Sequence, residues 1–178
     1  MKLPKPVDLT LHTEAMLRYA RTLARGDHAA AEDMVGDALV RALEAEATFR
    51  QGGNLRGWLL SILHNTFVSA RRRAASEQRR REGLAAVGEA SMPPPQEGRV
   101  RLSQLAEAFE RLPDEQRQVL HLVAVEGLAY QDAADILGIP VGTLMSRLGR
   151  ARAALRRWEE GGGAVRPSLR IVGGTDGG

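Results

Sequence analysis

The feature that most constrains this chain is a pair of short amphipathic segments at residues 130–155, separated by a glycine and a proline. In the second segment Leu144 and Leu148 recur at helical spacing, so one face of a helix can be buried. Gly138 suits the left-handed residue that ends a helix, and Pro140 suits the turn into the next one. A helix, a short turn and a second helix form the pattern of a DNA-binding helix-turn-helix.

The outer face of the second segment is polar and cationic, with almost no acid. It is formed by Thr143, Ser146, Arg147 and Arg150. Such a surface can contact phosphates and base edges in a major groove. The same pattern also fits a core helical hairpin whose basic face is solvated, because charge patterning discriminates weakly between the two. On periodicity alone, both interpretations stay open.

Composition narrows the class of protein and of partner. The chain has 178 residues, enough for one ordinary domain or two small ones, and a formal net charge of +3. Its isoelectric point is about 9.9 and its arginines are clustered, which favours a polyanionic partner.

There is no cysteine, and the four histidines lack the spacing of zinc ligands, so we expect no metal and no other cofactor. No apolar run is long enough to span a bilayer and the first residues lack the apolar core of a signal peptide, so a cytoplasmic protein without membrane insertion is expected.

Three helices are predicted in the first part of the chain, at residues 10–25, 28–48 and 55–81, after an extended arm of nine residues that holds two prolines. Their apolar faces are formed by Met16, Ala20 and Leu23, by Ala31, Val35, Ala38, Leu39 and Ala42, and by Trp58, Leu59, Ile62, Leu63 and Phe67. Residues 49–55 form a short loop with two glycines, and Asn54 can cap the third helix.

Two charged surfaces are predicted on these helices. The second helix carries an acidic patch formed by Glu32, Asp33 and Asp37. Acids in the first turns of a helix stabilise its dipole, which partly explains Glu32 and Asp33 but hardly explains Asp37. The third helix ends in six arginines at positions 71–73 and 79–81. A solvated helix end tolerates arginines, but six in so short a span favour a stripe that binds phosphates.

The stretch at 83–100 changes to Gly, Ala, Glu and Ser around three consecutive prolines, which is typical of a flexible linker. We therefore predict an all-α chain of two small helical domains, at residues 10–82 and 101–160, followed by a disordered tail at 161–178. The second domain is predicted to hold helices at residues 102–111, from 112 to a glycine at 127, and in the helix-turn-helix.

In their joint order and spacing, several stretches resemble a bacterial RNA polymerase sigma factor of the extracytoplasmic-function group of the sigma-70 family. In the first domain they are AEDMV at residues 31–35, residues 49–58, LSILHN at 60–65 and the arginines at 71–73. In the second they are LPDEQR at 112–117, EGLAY at 126–130, GIPVGT at 138–143, SR at 146–147 and RAR at 150–152. The resemblance covers residues 11–158 and implies the two domains called sigma region 2 and sigma region 4, joined by a variable linker.

The resemblance also implies roles for individual residues. Region 4 would read the minus-thirty-five promoter element through the recognition helix, with Gly142, Thr143, Met145, Ser146, Arg147, Gly149 and Arg150. Region 2 would hold the opened minus-ten element with Phe49, Asn54, Asn65, Arg71, Arg72 and Arg73. The surface that binds polymerase would hold Asp33, Gly36 and Asp37. The implied partners are promoter DNA, the clamp coiled coil of the largest subunit and the flap of the second-largest subunit of core RNA polymerase, and an anti-sigma factor.

Four positions depart from the pattern of that family. Gly36 stands where glutamine is common, and Ala129 where a serine or threonine commonly caps the first helix of the helix-turn-helix. Met145 and Gly149 occupy positions of the recognition helix that often hold base-contacting or bulkier residues. We therefore expect an altered or less stringent preference at the minus-thirty-five element.

Three other functions explain less of the sequence. A sigma mimic that only sequesters an anti-sigma factor would not need Arg147, Arg150 or the arginine stripe. A helix-turn-helix regulator independent of polymerase would leave the acidic patch and the long basic helix unexplained. An enzyme is least supported, because no nucleotide, metal or nucleophile motif is present.

Overall fold

The computed structural model of the chain describes residues 6–50, 53–81 and 100–161. The described residues form seven α-helices and no strand, which confirms the all-α prediction. The helices are α1 (Pro6–Leu23), α2 (His28–Glu44), α3 (Leu55–Arg81), α4 (Val100–Glu110), α5 (Asp114–Leu120), α6 (Tyr130–Leu137) and α7 (Val141–Gly161). We call residues 6–81 the N-terminal half and residues 100–161 the C-terminal half.

Two boundaries in the N-terminal half differ from the prediction. Helix α1 begins at Pro6 rather than at residue 10, because a proline has a fixed φ and no N–H and therefore suits a first helical turn. Helix α2 ends at Glu44, and the chain tightens into a 3₁₀ turn at Glu46–Thr48. There the Thr48 hydroxyl donates to the carbonyl of Ala45 at 2.7 Å.

The helix predicted from residue 112 to the glycine at 127 changes its winding midway. Helix α5 passes into a π-helical turn at His121–Val125, and the Glu126 N–H donates to the carbonyl of His121 at 3.0 Å. Gly127 then adopts a φ of +63°, which ends the segment and favours glycine. Such π turns are frequent at functional sites.

The two halves pack against each other. The apolar faces predicted for the three N-terminal helices are buried or half-buried in a core, as are those of α5, α6 and α7. Helices α1 and α3 of the N-terminal half contact α5 and α6 of the C-terminal half. The predicted linker and tail lie outside the described residues, except for Val100 and Gly161, which belong to α4 and α7.

None of the described helices is both long and apolar enough to cross a bilayer. Likewise, within the described ranges no three histidine, aspartate or glutamate side chains come together in a way that could hold a metal ion.

Candidate nucleic-acid interface

The helix-turn-helix predicted from the sequence is present in the C-terminal half. Helix α6 ends at Leu137, and Gly138 after it, with a φ of +61°, is the predicted left-handed cap. The Gly138 N–H donates to the carbonyl of Asp135 at 3.2 Å, and the Ile139 N–H donates to that of Ala134 at 3.1 Å. These two bonds satisfy carbonyls at the end of α6 and turn the chain into α7. Ala129 precedes α6 without a side-chain cap, as the sequence indicated.

Helix α7 is the recognition helix of this motif. Leu144, Leu148 and Ala151 are buried against the rest of the C-terminal half. The opposite side exposes five of the predicted DNA-contacting residues: Gly142, Met145, Ser146, Gly149 and Arg150. Thr143 is half-buried in the first turn. The Leu144 N–H makes the first bond of the helix, to the carbonyl of Pro140 at 3.0 Å, so the N–H groups of Gly142 and Thr143 lie in the turn before it.

The surroundings of Arg147 differ from the prediction, which placed it on an outer face of the helix with almost no acid. Its side chain is only 21% exposed, and Nη2 lies 2.8 Å from Oε2 of Glu115. The acid comes from α5 rather than from α7, so the periodicity of the recognition helix could not reveal it. Arg147 is therefore held against the C-terminal half.

Ser146 and Arg150 form a small polar unit on the exposed side of α7. The Ser146 hydroxyl donates to the carbonyl of Thr143 at 2.9 Å, and Arg150 Nη2 donates to the Ser146 hydroxyl oxygen at 3.4 Å. The serine thus orients the guanidinium. The remaining N–H groups of Arg150 leave it able to donate to a phosphate or a guanine edge.

Two glycines border this polar unit, and no neighbour in the described part of the chain requires them. A Cβ atom built on Gly142 or Gly149 would meet no atom within 4 Å. Between them Met145 is 53% exposed. Glycine weakens a helix, and at neither position does a packed neighbour within the described residues explain it.

The predicted minus-ten residues Phe49 and Asn54 flank the start of α3. The Phe49 and Trp58 rings lie 5.2 Å apart between centroids, which half-buries Phe49. Asn54 caps α3 as predicted, because its Oδ1 accepts from the Gly57 N–H at 3.0 Å. Its Nδ2 donates to Oδ2 of Asp132 on α6 at 3.4 Å.

Helix α3 carries the remaining predicted minus-ten residues. Asn65 is exposed, as are Arg71, Arg72 and Arg73. Arg71 lies over the Phe67 ring, 5.6 Å from its centroid, and its Nη1 donates to Oδ2 of Asp114 at 3.2 Å. Arg79 and Arg80 continue the stripe as exposed residues.

The structure brings the two sets of arginines to one cleft. Arg71 and Arg72 of α3 and Arg147 of α7 line an open cleft of about 430 Å³ between the halves. The neighbouring acids Asp114 and Glu115, at the start of α5, lie between them and pair with Arg71 and Arg147 respectively.

The face of α2 that carries the predicted acidic patch also exposes apolar residues that the sequence analysis did not predict. Asp33, Gly36 and Asp37 are all exposed and share one face. Val40 and Leu43 extend this face and are 56% and 58% exposed. Their signal in the sequence was two large apolar residues outside the buried stripe of α2, and such exposed residues mark interaction surfaces when they are clustered.

Two buried polar contacts were also missed, one between the halves and one within the N-terminal half. The Thr22 hydroxyl lies 2.9 Å from His121 Nδ1, and Tyr19 Oη lies 3.1 Å from His64 Nδ1. Burial lowers the pKa of His64 to about 4. Burial lowers that of His121 to about 4 as well, helped by the nearby positive charges of Arg18 and Arg56. Both histidines are therefore neutral at neutral pH.

Comparison with known proteins identifies the class. The chain matches the family model for Sigma-70 region 2 over residues 10–77 and that for Sigma-70, region 4 over residues 102–155. It is 36% identical over 148 residues to the ECF RNA polymerase sigma factor EcfG of Rhodopseudomonas palustris (strain TIE-1), covering 83% of this chain and 81% of that one.

Two solved structures are similar over most of the chain. That of the sigma factor RpoE in complex with the anti-sigma factor NepR from Bartonella quintana has a TM-score of 0.72 at 33% identity, covering 87% of this chain and 96% of that chain. That of CnrH with the cytosolic domain of CnrY has a TM-score of 0.59 at 26% identity, covering 85% and 84%. The chain therefore belongs to the sigma-70 family of RNA polymerase sigma factors, and within it to the extracytoplasmic-function group. This confirms the function expected from the sequence, and proteins of this family are not enzymes.

Proposed function

We propose that this sigma factor directs core RNA polymerase to its promoters by reading the minus-thirty-five element with α7 and holding the opened minus-ten element with α3 and the loop before it. The observation that carries the proposal is the presence, in one chain, of an exposed polar unit on the recognition helix and an exposed arginine stripe on α3.

At the minus-thirty-five element, Ser146 and Arg150 contact base edges or phosphates in the major groove. The first-turn N–H groups of Gly142 and Thr143 bind a phosphate at the helix start. Met145 offers an apolar contact to a thymine methyl group, and Gly149 lets the helix come close to the DNA. Arg147 joins this surface once it leaves Glu115. With a methionine and glycines at these positions, we expect a less stringent or altered sequence preference.

At the minus-ten element, Arg71, Arg72 and Arg73 form the basic track along which a single strand runs. Phe49 and Asn54 belong to the loop that captures an unstacked base, and Asn65 faces the opened strand. The exposure of these arginines supports this assignment, because side chains that reach solvent can neutralise the phosphates of a strand.

Polymerase binding is assigned to α2 and to the C-terminal half. Asp33, Gly36 and Asp37, together with Val40 and Leu43, bind the clamp coiled coil of the largest subunit. The C-terminal half binds the flap of the second-largest subunit. The corresponding domain limits are residues 10–82 for region 2 and 101–160 for region 4. Because the protein acts with core RNA polymerase, we expect it in the cytoplasm.

An anti-sigma factor is proposed to control the protein. The support is the similar fold of a sigma factor solved in complex with the anti-sigma factor NepR.

In vitro transcription with purified core polymerase tests the proposal. The template pool holds promoters of the source organism, and Arg150→Ala is compared with Arg156→Ala, an exposed arginine further along α7. We expect specific transcripts with the wild type, a loss of about fivefold to a hundredfold with Arg150→Ala, and no change with Arg156→Ala. Binding to core polymerase without transcripts would indicate a sigma mimic. No binding to polymerase, with DNA binding retained, would indicate an independent helix-turn-helix regulator.

A further inference from the structure

We propose that Met145 is a reversible oxidation site, at which peroxide converts the thioether to a sulfoxide and weakens the reading of the minus-thirty-five element. This inference rests on the proposed function, because it gives a regulation to one residue of the recognition helix. The oxidant is a hydroperoxide, and a methionine sulfoxide reductase restores the thioether with a dithiol as reductant.

The fold leaves Met145 open to solvent. The residue is 53% exposed and lies on the exposed side of α7. A long side chain in a helix lies back over the preceding turn, where Gly142 stands, and a side chain at Gly149 would in turn lie over Met145. A Cβ atom built on either glycine would meet no atom within 4 Å. Neither position therefore supplies a side chain that shields the thioether.

Two other methionines of the described residues are protected by packing. Met16 is 0% exposed in the core of the N-terminal half, and Met34 is half-buried against the core. Susceptibility to oxidation follows exposure. The chain has no cysteine, so no thiol of its own competes for the oxidant. Of these three methionines, Met145 should therefore oxidise first.

The oxidation step involves only the thioether and the peroxide. A lone pair of Sδ attacks one peroxide oxygen, an S–O bond forms as the O–O bond breaks, and the second oxygen leaves as water. The sulfur loses two electrons and the peroxide gains them. Because Met145 is not part of the hydrophobic core, the sulfoxide leaves the packing of α7 unchanged.

The product changes how this side of α7 meets DNA. A thioether can lie against the methyl group of a thymine, which is the apolar feature of the major groove. A sulfoxide oxygen is a hydrogen-bond acceptor, and burial against a methyl group leaves it without a donor. Ser146 and Arg150 stay in place beside it. Binding to the minus-thirty-five element is therefore weakened rather than abolished.

The test uses the full chain, treated with hydrogen peroxide that is removed before core polymerase is added. Mass spectrometry of peptides measures the sulfoxide at each methionine, and the chain unfolded in urea gives the reference for equal access. In vitro transcription then compares promoters with an intact and a scrambled minus-thirty-five element. Met145→Leu keeps an apolar side chain without sulfur, and Met34→Leu is the matched control on α2.

We expect Met145 to oxidise about tenfold faster than Met16 in the folded chain, and at the same rate in urea. Its oxidation should lower transcription from the intact promoter about tenfold, while the midpoint of thermal unfolding stays the same. A methionine sulfoxide reductase with dithiothreitol should restore the transcription. Whatever their outputs before treatment, Met145→Leu should not respond to peroxide and Met34→Leu should respond as the wild type does.

Unchanged transcription after complete oxidation of Met145 would overturn the proposal, and so would an equal loss in peroxide-treated Met145→Leu. Oxidation of Met145 no faster than that of Met16 in the folded chain would contradict the exposed site. If the untreated wild type does not prefer the intact to the scrambled element, the proposed function is wrong and this inference fails with it. A preference that survives oxidation of Met145 refutes the oxidation switch alone.

Discussion

Arg117 of α5, which is 1% exposed, donates from Nε to the backbone carbonyl of Thr22 on α1 at 3.2 Å. Its other nitrogens donate to the carbonyl of Glu110 at 3.1 Å and to Asp114 at 2.6 Å. A buried guanidinium is tolerated when its donors are satisfied in this way. Arg117 belongs to the motif LPDEQR, and its contacts join three helices across the two halves.

Replacing Arg117 with methionine should destabilise the fold by about 3 kcal/mol, because it keeps most of the volume but leaves the carbonyls of Thr22 and Glu110 without this donor and removes one of the arginines that bind Asp114. Urea unfolding of the full chain measures the change. The control is Arg111→Met at the exposed end of α4, where the ion pair with Glu107 contributes less than about 0.5 kcal/mol. Equal effects of the two substitutions would contradict the role given to Arg117.

Acid should weaken the fold through His64 and His121. Their ordinary pKa is 6.5, and burial lowers both to about 4 in the folded chain. The unfolded chain therefore takes up protons first, so stability falls as the pH drops from 6.5 to 4, by about 3 kcal/mol for each histidine. Arg18, Arg56 and Glu126 are the charged groups nearest to His121, and the two arginines oppose its protonation.

Urea unfolding at several pH values between 7.5 and 4.5 measures this dependence. His121→Gln should lower the slope by about half, and the double variant with His64→Gln should remove most of it. The lowered pKa of Asp114 does not interfere, because that carboxyl loses its stabilising charge only below its ordinary pKa of 3.8. A slope unchanged in the double variant would show that other groups cause the acid response.

The helices could be predicted from the sequence because their signals are local. The apolar spacing of Leu144 and Leu148 and the cap at Gly138 lie within a few residues of one another, and the structure has them as predicted. The shift to π winding after Leu120 has no comparable signal. In this segment His121 contacts Thr22 and the carboxylate of Glu126 contacts Arg18, and both partners belong to the other half.

The contacts between the halves could not be predicted because their partners lie far apart in the sequence. Arg18 and Arg56 lie 108 and 70 residues from Glu126 in sequence, and each looks like an ordinary charge on a solvated helix face. The interaction of Glu115 with Arg147 was hidden in the same way, since a pattern read along one helix cannot show an acid supplied by another. The exposed side of α7 was predicted correctly where no second helix covers it.

Gly149→Ala should make the fold more stable while weakening promoter recognition. A Cβ at this position meets nothing within 4 Å, so alanine should raise the free energy of unfolding by about 1 kcal/mol. If the recognition helix lies close to the DNA, as proposed, the same methyl group should weaken binding to a minus-thirty-five duplex. Thermal unfolding and DNA titration measure the two effects, with a duplex of scrambled sequence as the control. A more stable variant with unchanged affinity and selectivity would mean that Gly149 has no part in recognition.

Gly36 offers the corresponding test on α2. A Cβ there also meets nothing within 4 Å, so the fold accepts a side chain at this exposed position. Gly36→Leu should therefore leave the chain folded but weaken binding to core RNA polymerase about tenfold, because the side chain would hold a partner helix away from Asp33 and Asp37. His28→Leu, at an exposed position on the side of α2 away from Asp33 and Asp37, is the control and should bind as the wild type does. If both variants bind polymerase equally well, the polymerase contacts lie elsewhere than on the face of Gly36.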